Sequence, residues 1–207
     1  MLLPATCPIC RQPGPAPCAA CERTFRPAPN LPVPPQVDTV HALLAYDGPG
    51  RELVARLKYR NARSSVRWLA AGLARQVREA GTPVDVVTWV PTSPARRRER
   101  GFDQAELLAR AVAQALGRPC RRLLRREAGP AQTGRSAAAR RAGPGFAPVR
   151  RGGNAAHVLV VDDVVTTGAT ATSAARTLRR GGVQHVTVAA VARTPLKRNG
   201  SGSDTCS

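Results

Sequence analysis

Apolar and polar positions change period along the 207-residue chain, and each change marks an element. Residues 37–45 (VDTVHALLA) are β-like, and Asp47-Gly48-Pro49-Gly50 is a turn before a helix expected over 51–59. Ser64 or Ser65 caps a second helix, in which Val66, Leu69, Leu73 and Val77 recur at three- and four-residue steps up to Gly81. Residues 84–90 (VDVVTWV) are too short and too β-branched for a helix and read as a buried strand ending at Pro91. After an Arg-rich loop, Asp103 caps a third helix, with Glu106 at the reciprocal position of a capping box and Gly117 as its stop. A short strand at 120–124 and a flexible excursion to 151 precede a strand at 157–161, a helix over 170–180 and a strand at 186–191. Strands alternating with helices through short turns imply an α/β fold, a mostly parallel sheet covered on both faces. Ligands of such sheets lie at the carboxyl ends of the strands.

Ahead of that unit the pattern is different. Cys7, Cys10, Cys18 and Cys21 form two CxxC pairs, and residues 27–35 are too Pro-rich for a helix or a central strand. The expected division is a metal module over 1–26, a stiff linker over 27–36, an α/β domain over 37–194 and a disordered polar tail over 195–207. The cysteines supply four soft ligands for a closed structural zinc site, and Pro13, Gly14, Pro15 and Pro17 turn the spacer back so that both pairs converge. Two disulfides are the alternative in an oxidising compartment. So small a unit needs Zn²⁺ for its folding free energy. Cys120 and Cys206 lack a CxxC neighbour and read as a core thiol and a tail thiol.

Charge changes the picture more than composition does. The formal net charge is +19, and 30 of the 32 cationic residues are Arg, which coding bias explains in part. Position says more, since +11 of it falls between Arg96 and Arg151 and implies an anionic partner, a phosphate-bearing small molecule or nucleic acid. A 43% hydrophobic content excludes a wholly disordered tail protein, and seven aromatic residues argue against a long base-stacking surface. No apolar run approaches the roughly 18–20 residues of a membrane helix, so no membrane insertion is expected. Met1-Leu2-Leu3-Pro4 shows neither a charged nor a long apolar leader region, so a cytoplasmic location with reduced cysteines is expected.

The stretch Asp162-Asp163-Val164-Val165-Thr166-Thr167-Gly168-Ala169-Thr170 carries the chemistry. Backbone N–H groups at 166–169 and the positive end of the following helix form an anion hole, and Gly168 permits close approach. Asp162 and Asp163 suit two vicinal hydroxyls. Either half alone reads as an ordinary turn or cap; together, straight after an apolar strand, they describe a ribose 5-phosphate site. The Arg-rich loop, with Arg96, Arg100 and Gly101, suits a pyrophosphate or a nucleic-acid backbone. His41, His157 and His185 sit in expected strands without catalytic partners and read as packed side chains, and no catalytic residue is assigned.

The acidic stretch resembles the PRPP-binding motif of type I phosphoribosyltransferases. That resemblance implies that Asp162 and Asp163 take the ribose hydroxyls and Thr166 to Thr170 the 5′-phosphate of 5-phosphoribosyl 1-pyrophosphate held with Mg²⁺. Purine-salvage members carry Asp where this chain has Thr166, whereas orotate-type members carry Thr. The string Arg96-Arg97-Arg98-Glu99-Arg100-Gly101-Phe102-Asp103-Gln104-Ala105 resembles the R-x-x-x-R-G-F-N-Q-A segment of the ComF family, with Asp103 where Asn is more common. Leu57-Lys58-Tyr59, Gln132 with Arg140 and Phe146, and the cysteine pairs are similar to further ComF features, over residues 5–193. An Asn usual in the middle segment is missing. The resemblance implies a type I phosphoribosyltransferase-like domain behind a small zinc module. Phosphoribosyl transfer to a nitrogen acceptor is the leading activity. A non-catalytic DNA-associated role in natural competence and DNA uptake, or a PRPP-sensing role, stays open. Single-stranded DNA, competence proteins and a second copy in a homodimer are the further partners to test.

Overall fold

Four strands, apolar on both faces at their centres, pair in parallel in the order β1-β6-β5-β2. They are β1 (Thr39–Ala45), β2 (Val86–Trp89), β5 (His157–Val165) and β6 (His185–Arg193). The computed structural model describes residues 6–57, 64–127, 144–149 and 155–195. Lys58, Tyr59, Gln132, Arg140, Cys206, the tail from 196 and most of the 125–151 excursion lie outside the described residues.

Strand residues alternate between the two faces, so each strand feeds two cores. Leu159 and Val161 of β5 and Ala189 and Val191 of β6 pack with α2 (Gly48–Leu57), α3 (Ser64–Glu79) and α5 (Gln104–Leu116). Val158, Val160, Val186, Val188 and Ala190 pack instead with α6 (Ala169–Arg180). Leu53, Leu69, Leu73, Leu159 and Val160 are fully buried, each contributing roughly 1.5–3 kcal/mol. The 3.6-residue period of α3 is explained by this packing, with Leu69, Leu73 and Val77 on its buried face.

Several elements differ from the sequence expectation. Helix α2 begins at Gly48 inside the expected turn, and its first turn lies so close to β1 that a Cβ at Gly50 would stand 2.2 Å from the Ala45 carbonyl oxygen. The Arg-rich loop contains a helix, α4 (Pro94–Arg100). Cys120 makes only an isolated parallel bridge to Val87, and the strand starts later, as β3 (Leu124–Arg126) paired antiparallel with β4 (Phe146–Pro148). The excursion therefore leaves and returns through a two-stranded ribbon.

The cysteine module, with its short α1 (Ala19–Glu22), docks on α3 through Phe25 and Trp68, whose rings lie 5.7 Å apart. From there residues 26–28 run antiparallel along the outer edge of β1, where Ala45 N donates to Arg26 O and Ala28 N to Leu43 O. Prolines are tolerated at such an edge because no inner strand needs their missing N–H.

Candidate functional site

The described candidates Arg96, Arg100, Gly101, Asp162, Asp163 and the 164–170 turn gather at the carboxyl edge of the sheet. The pairing of β5 with β6 continues through the acid pair, joining Asp162 to Ala190 and Val165 to Arg193, so Asp162 and Asp163 belong to the strand. Alternation then sends Asp162 to the α6 side and Asp163 to the α5 side. Asp162 is 8% exposed, and its Oδ1 accepts from Asp163 N at 2.8 Å. Burial pushes its carboxyl well above the usual range, and the nearby charges of Asp163 and Asp103 push the same way against that one N–H.

Beyond β5, Thr166 and Thr167 are exposed and Gly168 starts α6 in the left-handed conformation, at φ 77°. The N–H groups of Thr166, Thr167 and Gly168 donate to nothing among the described residues, while Thr167 Oγ1 accepts from Ala169 N at 3.4 Å. A Cβ on Gly168 would lie 2.5 Å from Pro34 Cγ, so the Pro-rich segment is packed directly against this turn. Arg193 holds that segment down. The side chain is 6% exposed and donates to Leu31 O at 3.0 Å and Pro32 O at 2.5 Å. Its Nε and the neighbouring Thr194 Oγ1 are buried without partners among the described residues, and burial lowers the guanidinium's affinity for its proton.

The second anion candidate follows β2. Ser93 caps α4 by accepting from Arg96 N at 3.4 Å, Pro94 fills its first position, and Gly101 closes it at φ 75°. Arg96 and Arg100 are one turn apart and share a face. Arg97 faces a cavity of about 120 Å³ that Thr92, Arg122 and Arg126 also line. Asp103 caps α5 as expected, accepting from Ala105 N at 3.1 Å, but its other oxygen takes Thr92 N at 2.9 Å. Glu106 does not complete the capping box; it pairs with Arg110 at 2.8 Å. Burial raises Asp103, which the N–H groups of Thr92, Glu106 and Ala105 oppose.

Gln104 joins the two candidates. Its Nε2 donates to Asp163 Oδ2 at 3.2 Å and its Oε1 accepts from Arg100 Nη1 at 3.1 Å. Gln104, Arg193 and Pro34 carry no role on sequence grounds; the position of Gln104 inside the R-G-F-D-Q string is the only signal that singles one of them out.

The three histidines lie away from this edge. His157 and His185 open β5 and β6 at the opposite end of the sheet, and His41 Nε2 meets Thr82 Oγ1 at 3.0 Å, its proton affinity lowered by burial.

In the N-terminal module the Sγ atoms of Cys7, Cys10, Cys18 and Cys21 lie within 4.8 Å of one another and could hold a metal ion. Cys10 and Cys18 Sγ are 3.7 Å apart, and Cys7 Sγ accepts from Cys18 N at 3.4 Å. At Cys7 burial opposes ionisation, but the N–H groups of Cys18, Cys10 and Ile9 prevail and bring the thiol down to about 6. Desolvation and the surrounding cysteines push Cys21 up to about 12. A bound cation would favour the thiolate form of all four ligands.

No family model matches the chain. Two curated proteins do: the chain is 32% identical over 202 residues to DNA utilization protein YhgH of Salmonella typhi, and 31% identical to that of Salmonella typhimurium strain LT2. Each match covers 91% of this chain and 84% of the relative. Among solved structures it is similar to glutamine phosphoribosylpyrophosphate amidotransferase from B. subtilis (25% identity, TM-score 0.45, 66% of this chain). This chain spans 30% of that one. Purine phosphoribosyltransferase from Pyrococcus horikoshii is similar at 13% identity and TM-score 0.37, over 79% of this chain and 97% of that one. The parallel sheet with its flanking helices, and the cysteine cluster ahead of it, form the α/β architecture with a small N-terminal module that the sequence implied. With near one-third identity to YhgH across nine-tenths of its length, the chain belongs to the ComF family.

Proposed function

We propose that this protein binds PRPP at the carboxyl edge of its sheet and transfers the phosphoribosyl group to a nitrogen acceptor. The observation that carries the reading is Asp162, buried beside Asp163 at the end of β5 and followed by a turn whose N–H groups at 166–168 donate to nothing among the described residues. Ribose hydroxyls would donate to Asp162 and Asp163, and the 5′-phosphate would take the N–H groups of the 166–170 turn. Arg96, Arg100 and Gly101 lie where a pyrophosphate would leave. Hard oxygen ligands of this kind suit Mg²⁺, which would neutralise charge on the pyrophosphate as it departs. The protein's own part is to hold the diol, fix the phosphate and keep water from the ribose carbon.

The cysteine set fits Zn²⁺, because a tetrahedron of roughly 2.3 Å bonds has edges of about 3.8 Å, close to the Cys10–Cys18 separation. We read residues 1–26 as that zinc module, 27–36 as its connection and 37–194 as the phosphoribosyl domain. Reduced thiols suit the cytoplasm. Among the described residues no helix is long and apolar enough to cross a membrane.

Calorimetry with PRPP and Mg²⁺ tests the reading: saturable binding is expected, and Asp162→Ala with Asp163→Ala should abolish it. Unchanged binding in the double variant rejects the site. Pyrophosphate release across a panel of bases and amines then separates an enzyme from a sensor. The relatives' name and the shared surface of Arg97, Arg122 and Arg126 favour DNA association as a second reading. Backbone binding through several Arg would weaken steeply between low and moderate salt, unlike a pocket built on Asp162 and Asp163.

A further inference from the structure

Arg100 and Asp163 carry opposite charges at the same edge of the sheet, yet among the described residues no ion pair joins them. Gln104 stands between them, accepting from Arg100 Nη1 at 3.1 Å and donating to Asp163 Oδ2 at 3.2 Å. A carboxamide offers an acceptor on one side and donors on the other. Turned over, it would aim its NH₂ at a guanidinium and its carbonyl at a carboxylate, so both neighbours select one orientation. The backbone that carries Gln104 is fixed too. It is the first residue of α5, and Asp103 ties that end to the loop after β2 through Thr92 N and Ala105 N.

A direct Arg–carboxylate pair is commonly bidentate and would occupy both oxygens of Asp163 and two N–H groups of Arg100. The interposed amide uses one oxygen and one N–H. Among the described residues the other guanidinium donors of Arg100 make no further hydrogen bond, and Asp163 keeps its second oxygen for its neighbour Asp162 or a ligand hydroxyl. We propose that Gln104 is a positioning residue that prevents this collapse and sets the spacing for one ligand carrying both a hydroxyl and an anionic group. The identity of that ligand rests on the PRPP reading; the relay itself rests on the geometry. It follows that Gln104 matters for PRPP, which has a 1-pyrophosphate to offer Arg100, and much less for ribose 5-phosphate, which has none.

Two measurements on the full-length protein decide it. In ¹⁵N-labelled unliganded protein the Gln104 side-chain NH₂ signals should stand apart from solvent-exposed carboxamides and move towards them in Arg100→Ala and in Asp163→Ala. Signals that stay put in both variants overturn the relay, whatever the protein binds. By calorimetry with Mg²⁺, Gln104→Leu should weaken PRPP about tenfold, and Gln104→Glu, which sets a like charge beside Asp163, about a hundredfold. Ribose 5-phosphate should change less than about threefold, and the melting temperature by no more than about 2 °C. Equal losses for both ligands, or a matching loss of stability, would make Gln104 a structural residue and overturn the positioning role. A wild-type protein that ignores PRPP would remove the ligand assignment and leave the relay to the NMR result.

Discussion

Across its amino edge the sheet sets Asp38, His185, His157 and Asp85 side by side, in the order β1, β6, β5, β2; across its carboxyl edge it sets Arg193, Asp162 and Asp163. The residue types are alike and their surroundings are opposite. At the amino edge Asp85 accepts from Ala156 N and His157 N, both at 2.8 Å, and those N–H groups hold its carboxyl below the usual range. Asp38 takes Val186 N at 2.7 Å and both of its oxygens meet Arg179. The two imidazoles stack between these acids, 4.7 Å apart. At the carboxyl edge burial works against Asp162, Arg193 keeps a buried Nε without a partner among the described residues, and Gly168 holds a left-handed turn. One edge is complete in itself. The other keeps polar groups without partners among the described residues, a local cost that the rest of the fold offsets.

The largest test of that contrast compares two glycines. Gly168→Ala combines a positive φ with a Cβ driven against Pro34 and should cost about 2–4 kcal/mol in chemical denaturation. Gly182→Ala, at φ 93° with open space around it, should cost only about 1 kcal/mol. Equal costs would mean that Pro34 yields freely. Next in size, Asp85→Ala removes an acceptor for two N–H groups and should cost about 1 kcal/mol at pH 7, modest because the side chain is half-exposed. Because its folded-state pKa is depressed, this stabilisation is present above the ordinary value of 3.8 and lost as pH falls below it. A stability gap between wild type and variant that persists undiminished in acid would contradict the assignment. The smallest effect has the opposite sign. Asp162 has a raised pKa, so its cost is absent in acid and grows as pH climbs through the folded-state value. At neutral pH Asp162→Asn should raise the melting temperature by about 2–4 °C while ligand binding is lost. A lower melting temperature would show that the charge stabilises the fold.

Much of the carboxyl edge can be read directly from the chain. Unbroken apolar runs at 157–161 and 186–191 mark strands buried on two sides, and acids followed by Thr-Thr-Gly mark what comes after. Helix α4 escapes because none of its residues is buried, so no apolar period exists to find; only Ser93, Pro94 and Gly101 announce it, as caps rather than as a face. The acid pair reads as a strand end because local pattern ignores register, whereas β6 continues to pair with β5 as far as Arg193. Gln104 and Asp163 are 59 residues apart, and nothing local brings them together. Arg193 resembles a polar stop after an apolar strand, and only tertiary packing shows that it is buried beneath two carbonyls.

The clamp on those carbonyls bears on how the protein can be dissected. Composition invites a cut before Val37, which would free the α/β unit from its cysteine-rich companion. Such a fragment would leave Arg193 with empty donors and strip Pro34 from Gly168, exposing one wall of the turn at 166–170. A shortened protein that failed to bind would report on the missing wall, so the Pro-rich stretch has to travel with the sheet.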